Sequence, residues 1–211
     1  GYSETAQIGA EILGVAGVEA DIEIVRILAK TLQAAGVLEF LIDIGTVEVF
    51  KGLMAGTKID PRQVDAIRED IHRKDASSLK KTLLATDLSP AKKSALGELP
   101  SWFGGSDVFG KALKAVDNDR SRKGLEHLQK AYTELSAPES KGGLGKNISV
   151  DMGVVHSLDY YTGAVFEAYA PRVGRPIASG GRYDNLAEIY GKTISATGFA
   201  LNVGLILDIV D

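Results

Sequence analysis

The stretch GAVFEAYA at positions 163–170 alternates between apolar and polar-capable side chains, which is typical of a β-strand. Successive side chains of a strand point to opposite faces, so two sets of residues separate. One face carries Ala164, Phe166 and Ala168, and the other carries Val165, Glu167 and Tyr169. A buried charge is costly unless it is paired. Glu167 should therefore have a partner or a ligand if this strand is covered.

Similar short runs occur on both sides of a long helical block, and they set the fold class. Three of them are EFLIDIG at 39–45, NISVDMG at 147–153 and ISATGFALNV at 194–203. EADIEIVRILAKTLQAAG, at 19–36, has apolar residues at helical spacing and stops at Gly36. VEVFKGLMAG, at 47–56, predicts a short helix that ends at Gly56, and VGLILDIVD predicts a final apolar helix. This mixture predicts an α+β fold with an antiparallel sheet.

Residues 57–145 differ in composition from the segments on either side, and this difference predicts an inserted helical subdomain. It is rich in Lys, Asp, Ala and Leu, and its helices begin near Ser or Pro. The longest, RSRKGLEHLQKAYTELSA, has one apolar face. That face consists of Leu125, Leu128, Ala131, Tyr132 and Leu135. Residues 1–56 and 146–211 then form the core, and the lysine clusters of the insertion are interpreted as solvated helix faces.

Composition excludes several classes of function. The chain has 211 residues, a formal net charge of −4 and no cysteine, so disulfides and thiolate metal sites are impossible. A net negative charge offers no broad basic field, and we expect no nucleic-acid partner. No apolar run approaches the ~20 residues of a membrane span, and no signal peptide is visible, so we expect a cytoplasmic protein without a membrane partner. His72, His127 and His156 have no metal-ligand spacing, and we expect neither a metal nor a cofactor.

Two further patterns could carry chemistry. Gln7 and Glu11 are four residues apart, and on a strand they would share a face. A sheet face with Gln, Glu and Tyr could bind a ligand or could simply be exposed to solvent, and the pattern leaves both interpretations open. The stretch SGGRYDNL, at 179–186, is not a phosphate-binding loop, because it lacks both the Gly-Lys-Ser/Thr and the G-x-G-x-x-G pattern.

Taken together and in order, six segments resemble the catalytic core of the class II histidyl-tRNA synthetases. They are AQIGAEILG, EADIEIVRILAKTLQAAG, IDIGTVEVFKGL, SLDYYTGAVFEAY, GGRYDNL and ATGFAL. The resemblance implies a six- or seven-stranded antiparallel sheet flanked by helices, with a helical subdomain inserted between the second and third class motifs. It also implies a histidine pocket, whose matching residues here are Gln7, Glu11, Tyr161 and Tyr183.

This sequence departs from the synthetase pattern at two internal places. The family has R-G-L-D-Y-Y, whereas His156 and Ser157 precede the equivalent Leu-Asp-Tyr-Tyr here. A histidine lacks the fixed guanidinium fork, and we interpret His156 as the position of a lost arginine and Asp159 as a turn residue. The family's third motif has Gly-Leu-Glu-Arg where this chain has Asn-Val-Gly-Leu at 202–205. Losing both arginines should remove most adenylation activity, because that chemistry depends on positive charge at the phosphates.

The sequence retains the residues of the amino-acid pocket and lacks the arginines of the ATP site. In this combination it resembles the regulatory subunits of ATP phosphoribosyltransferase, a family of synthetase paralogues. That resemblance implies a non-catalytic protein of histidine biosynthesis that assembles with the short-form catalytic subunit, self-associates and binds histidine in feedback control. A divergent histidyl-tRNA synthetase is the alternative, and a sensor of uncharged tRNA is a third hypothesis. The resemblance further implies that the chain begins inside the second class motif and ends before an anticodon-binding domain. We therefore expect an exposed sheet edge.

Overall fold

A computed structural model describes residues 5–155 and 160–210, which form seven strands and eight α-helices around one sheet. The strands are β1 Gln7–Leu13, β2 Leu41–Thr46, β3 Phe103–Gly104, β4 Ile148–Asp151, β5 Ala164–Tyr169, β6 Ala178–Arg182 and β7 Ala196–Asn202. The helices are α1 Val18–Ala34, α2 Val47–Met54, α3 Pro61–His72, α4 Ala76–Leu84, α5 Pro90–Glu98, α6 Asp107–Ala115, α7 Asp119–Leu135 and α8 Val203–Val210.

The sheet has the strand order β1-β7-β6-β5-β2-β4-β3. All neighbouring pairs are antiparallel except β2 and β4, which run parallel. The α+β class and the mostly antiparallel sheet are therefore confirmed, with one parallel pair that the sequence did not predict. A parallel pair needs a crossover of a dozen or more residues, and the segment between β2 and β4, residues 47–147, supplies it.

Helix α1 confirms the prediction made from its apolar spacing. Ile24, Leu28 and Leu32 are fully buried along one face. The helix ends just before Gly36, whose φ of 90° lies in the left-handed region that favours glycine. Burying this apolar face against the sheet supplies most of the helix's stability, since an isolated helix is only marginally stable in water.

Two helices of the middle block, α3 and α5, begin at the Ser and Pro signals that the sequence predicted. At the start of α3, Pro61 occupies the first turn, while Asp60 and Gln63 form a reciprocal capping box. At the start of α5, the Ser89 hydroxyl caps the backbone N–H of Lys92. These side chains satisfy backbone N–H groups that have no partner within the helix.

Helix α7 packs against α1, α2 and the central strands. Leu125 and Leu128 are fully buried in a hydrophobic core that also contains residues of α1 and β2. Gly124 permits a close crossing with α2, because a Cβ there would lie 2.5 Å from the Cβ of Glu48. The division into a core and an inserted subdomain at 57–145 stays a prediction, and α7 is the helix through which this segment joins the main core.

The two faces of the sheet differ in what covers them. Ile44, Phe166 and Phe199 share the face that packs against α1 and α7. At one edge of the sheet lies β1, where Ile8 is 58% exposed and Leu13 is 64% exposed. Within the described residues, no helix is both long and apolar enough to cross a membrane.

Candidate functional site

The face of the sheet away from α1 carries the candidate site residues. Directly opposed residues of paired strands point to the same side. One such row runs from Glu11 through Gly198 and Gly181 to Val165, and a second joins Ser179, Glu167 and Asp43. Gln7 and Glu11 lie on this same face, as the alternation of β1 requires.

Two glycines in the first row leave space above the sheet. A Cβ on Gly181 would lie 2.8 Å from the ring of Tyr161, and a Cβ on Gly198 would overlap the carboxylate of Glu11. The side chains of Tyr161 and Glu11 therefore lie against strands at points where glycine leaves no side chain in the way. Any larger residue would push Tyr161 or Glu11 away from the sheet.

A tyrosine cluster gathers around Glu11. The hydroxyl of Tyr183 donates a hydrogen bond to the Glu11 carboxylate. The ring of Tyr160 contacts that of Tyr161 at a centroid distance of 4.5 Å, and it meets Tyr183 edge-on at 5.9 Å. Three aromatic rings and one carboxylate thus converge, although Glu11 and Tyr183 are 172 positions apart in the sequence.

Burial keeps the hydroxyl of Tyr161 protonated. Only 4% of this residue is exposed. Burial raises the pKa of Tyr161 well above its usual range, and a hydrogen bond with Tyr160 and the nearby charges of Glu11 and Glu167 raise it further. Burial also raises the pKa of Glu11. The site therefore offers a neutral phenol, which can donate or accept a hydrogen bond, close to a carboxyl group.

Gln7 lies farther along the same strand than the other predicted residues. Four residues of strand separate its Cα from that of Glu11 by roughly 13 Å. Of the four residues predicted to bind histidine, the structure brings Glu11, Tyr161 and Tyr183 together, and it places Gln7 two pleats away on the same face. A ligand that contacts both Gln7 and Glu11 therefore needs two separated polar ends.

Arg182 organises the backbone that carries Tyr183. Arg182 is only 4% exposed. Its guanidinium donates hydrogen bonds to the carboxylates of Asp21 and Asp184, each at 3.1 Å. It also donates to the carbonyls of Val15 and Gly17 at 3.3 and 2.9 Å. Arg182 thereby links β6 to the loop that joins β1 to α1. His127 of α7 reaches the same Asp21 carboxylate at 2.7 Å.

The segment that carries Tyr161 is tied to the same framework. The backbone N–H of Thr162 donates to the carbonyl of Arg182 at 2.7 Å, and the Thr162 hydroxyl accepts from the N–H of Asp184 at 2.9 Å. Lys51 of α2 donates to the carbonyl of Tyr161 at 2.5 Å. Hydrogen bonds therefore connect the two tyrosine-bearing segments to each other, and α2 is bonded to one of them.

The second row of this face is buried and hydrogen-bonded. Glu167 is only 4% exposed and accepts a hydrogen bond from the Tyr169 hydroxyl at 2.5 Å. Ser149 donates to the carboxylate of Asp43, and burial raises the pKa of Asp43. Of the two interpretations left open by the sequence, simple solvent exposure is thus wrong for this part of the face. Glu167 has the partner that its burial requires.

The structure describes one of the two places where the sequence departs from the synthetase pattern. His156, Ser157 and Asp159 lie outside the described residues. At the other departure, the Asn202 side chain accepts a hydrogen bond from the N–H of Leu205 at 3.1 Å, at the start of α8. Leu205 is 7% exposed and packs in the hydrophobic core. No positive charge replaces the family's arginine at this position.

Sequence reasoning missed two residues of the site. The sequence pattern does not single out Tyr160, although it is the first tyrosine of the Asp-Tyr-Tyr step that contains Tyr161 and its ring contacts the Tyr161 ring. Arg182 stands inside the noted Gly-Gly-Arg-Tyr-Asp motif, but its buried partner, Asp21, lies 161 positions away. Among residues 5–155 and 160–210, no group of three or more His, Asp or Glu side chains could hold a metal ion.

Comparison with known proteins identifies the family. The family model for histidyl-tRNA synthetase matches residues 1–206. The chain belongs to the histidyl-tRNA synthetase family. It is 39% identical over 200 residues to the ATP phosphoribosyltransferase regulatory subunit of Syntrophotalea carbinolica, a match that covers 95% of this chain and 46% of the relative. It is 38% identical over 208 residues to the protein of the same name from Acetivibrio thermocellus, covering 99% and 49%.

A solved structure agrees in both fold and sequence. The ATP phosphoribosyltransferase regulatory subunit/histidyl-tRNA synthetase from Bacillus halodurans superimposes with a TM-score of 0.86 at 29% identity, and the match covers 98% of this chain and 54% of that one. The chain spans about half the length of the curated relatives that it matches. The predicted synthetase-type core is therefore confirmed.

Proposed function

We propose that this chain is the synthetase-like part of a regulatory subunit of ATP phosphoribosyltransferase, which takes part in the first step of histidine biosynthesis. The observation that carries the proposal is its 39% and 38% identity to two curated proteins of that name, across 95% and 99% of the chain. A fold alone does not fix an activity, so the sequence identity carries more weight here than the shared architecture.

The ligand in this proposal is histidine, bound on the polar face of the sheet. The Glu11 carboxylate accepts a hydrogen bond from an N–H of the imidazole, and the hydroxyls of Tyr161 and Tyr183 orient the ring and the carboxylate. Gln7, farther along β1, contacts the amino-acid end of the ligand. The separation of Gln7 from the tyrosine cluster supports this arrangement, because histidine has two polar ends.

The regulatory role follows from linkage between binding sites. Histidine can alter the activity of a catalytic subunit only if it binds two states of the assembly with different affinities. The proposal therefore includes a hetero-oligomer with the short-form catalytic subunit, self-association of the regulatory chain and a cytoplasmic location. It assigns no cofactor and no catalytic residue to this chain.

Aminoacylation by a divergent synthetase is the second candidate. The similar protein from Bacillus halodurans is named both as a regulatory subunit and as a histidyl-tRNA synthetase, and this second name supports aminoacylation as a candidate. Leu205 argues against it, since the family's phosphate-binding arginine is replaced by a side chain that is buried in the core. Adenylation relies on positive charge at the phosphates, and its loss should remove most of the rate.

Titration calorimetry with histidine tests the ligand site. We expect the wild-type chain, alone or with the catalytic subunit, to bind histidine, and E11Q to weaken binding by roughly 10–100-fold, the range expected for a charge-assisted hydrogen bond. Tyr132 lies on α7 and contacts Phe109, so Y132F is a matched control that should bind normally. Absence of histidine binding in both settings would overturn the ligand assignment.

Two activity measurements separate the candidate functions. A regulatory subunit should be captured by the catalytic phosphoribosyltransferase subunit and should raise its activity. It should give no histidine-dependent exchange of pyrophosphate into ATP. A clear exchange signal, with no effect on the phosphoribosyltransferase, would establish the synthetase instead.

A further inference from the structure

His127 connects helix α7 to the framework that carries the tyrosine cluster. Its Nε2 atom lies 2.7 Å from Oδ2 of Asp21, a residue of α1 that is only 2% exposed. The Nε–H of Arg182 donates to the same oxygen at 3.1 Å, and a second guanidinium nitrogen lies 3.0 Å from Oδ1. One buried carboxylate is therefore shared between a side chain of the middle block and a side chain of β6.

Arg182 is in turn adjacent to both predicted tyrosines of the site. Tyr183 is the next residue along the chain, and its hydroxyl donates to the Glu11 carboxylate. The Arg182 carbonyl accepts a hydrogen bond at 2.7 Å from the N–H of Thr162, which directly follows Tyr161. The position of Arg182 therefore bears on the geometry of the whole cluster.

The charges around Arg182 explain why Asp21 needs a further donor. The guanidinium also donates to Asp184 at 3.1 Å, so two carboxylates share one buried cation. A buried carboxylate has lost its water and depends on donors from the protein. His127 supplies such a donor whenever Nε2 carries a proton, as it does in the imidazolium ion and in one neutral tautomer.

His127 also lines a hollow beside this network. The hollow has a volume of about 250 Å³, and Thr162, Arg182 and Asp184 form other parts of its wall. Removing the imidazole would extend the hollow towards Asp21 and admit water, because the new space would be polar. Water would then compete with Arg182 for the carboxylate, and the guanidinium would lose its fixed position.

We propose that His127 is a positioning residue of the histidine site: it holds the Asp21 carboxylate, which fixes Arg182 and, through Arg182, the two tyrosines that contact the ligand. The inference rests on the proposed histidine site. It gives helix α7 of the middle block a part in ligand binding, although His127 acts through Asp21 and Arg182 and is assigned no contact with histidine.

Calorimetry with L-histidine tests this role in the setting, alone or with the catalytic subunit, in which the wild type binds the ligand. We expect H127A to weaken histidine binding by about tenfold, the loss that follows removal of a charge-assisted hydrogen bond. H127Q keeps an N–H donor close to the position of Nε2 and should stay within about threefold of wild type. His72 is exposed at the end of α3, so H72A is a matched control that should bind normally.

A double-mutant cycle with Y183F separates positioning from general stability. H127A should have a smaller effect where the Tyr183 hydroxyl is already missing, because one of the contacts that His127 helps to position is then absent. The affinity loss from H127A in the Y183F background should therefore fall to about threefold or less. A purely structural role would leave this loss unchanged. Urea unfolding of each variant measures stability separately.

Three outcomes would overturn the inference and leave the histidine site standing. In the first, H127A lowers the stability in urea but binds histidine as the wild type does. In the second, H127Q loses as much affinity as H127A, so that the hydrogen bond to Asp21 is not responsible. In the third, H127A costs the same affinity with and without Y183F. If the wild type binds no histidine in either setting, the histidine site and this inference are both wrong.

Discussion

Gly181 offers a direct test of the geometry of the site. It lies on β6, directly below the ring of Tyr161. In G181A, the new Cβ would lie 2.6 Å from the carbonyl oxygen of Ala164 and 2.8 Å from the Tyr161 ring. The first neighbour is backbone of the paired strand and the second is a buried side chain, so neither can yield without moving part of the site.

The size of the effect follows from overpacking. Both distances are well below an ordinary carbon contact of about 3.5–4.0 Å. Inserting a methyl group into such a place typically costs about 1–3 kcal/mol. For a domain of this size, each kcal/mol lowers the unfolding temperature by roughly 2–4 °C. Tyr161 should also tilt away from the sheet in G181A, and we expect histidine affinity to fall by about tenfold or more.

Urea unfolding followed by calorimetry with histidine measures both effects. Gly110 provides the matched control, because it lies within α6 and, apart from the adjacent backbone of that helix, no heavy atom of the described residues lies within 4 Å of the position that its Cβ would take. G110A should stabilise the protein by roughly 0.5–1 kcal/mol, since glycine is unfavourable inside a helix. If G181A unfolds at the wild-type urea concentration and binds histidine normally, the described packing of Tyr161 on the sheet is wrong.

Two further substitutions test the buried charges. Replacing Arg182 with Met would leave His127 as the remaining partner of the Asp21 carboxylate, which is 2% exposed. R182M should lose about 3–5 kcal/mol of stability in urea unfolding, because a buried carboxylate loses the guanidinium that pairs with it. A loss below about 1 kcal/mol would refute the assigned role. Burial raises the pKa of Asp43 above its ordinary value of 3.8. The folded state therefore favours the neutral carboxyl group. Wild-type stability should decline as the pH rises through the folded-state pKa, because the folded protein then has to hold a buried charge. D43N cannot ionise, and its stability relative to wild type should increase from pH 3.8 towards neutrality; a pH-independent difference would contradict the raised pKa.

The local elements and the family could be predicted from the sequence. The helical spacing of α1, the Ser and Pro starts of α3 and α5, and the two faces of β5 all follow from rules that act within a few residues. Motifs such as Gln-x-Gly-x-Glu and Gly-Gly-Arg-Tyr-Asp are also local, and they sufficed to indicate the synthetase family. The parallel pairing of β2 with β4 could not be predicted, because the alternation within a strand does not specify its neighbour.

Only the tertiary structure decided how the site is assembled. Glu11 and Tyr183 meet because β7 lies between β1 and β6, and that order depends on contacts across most of the chain. The same pairing places Gly198 beneath Glu11 and Gly181 beneath Tyr161. Glu167 is buried on this face, whose exposure to solvent the sequence did not determine. Alternation determines which side chains share a face, whereas strand order and burial determine which of them touch, since only non-local packing sets those distances.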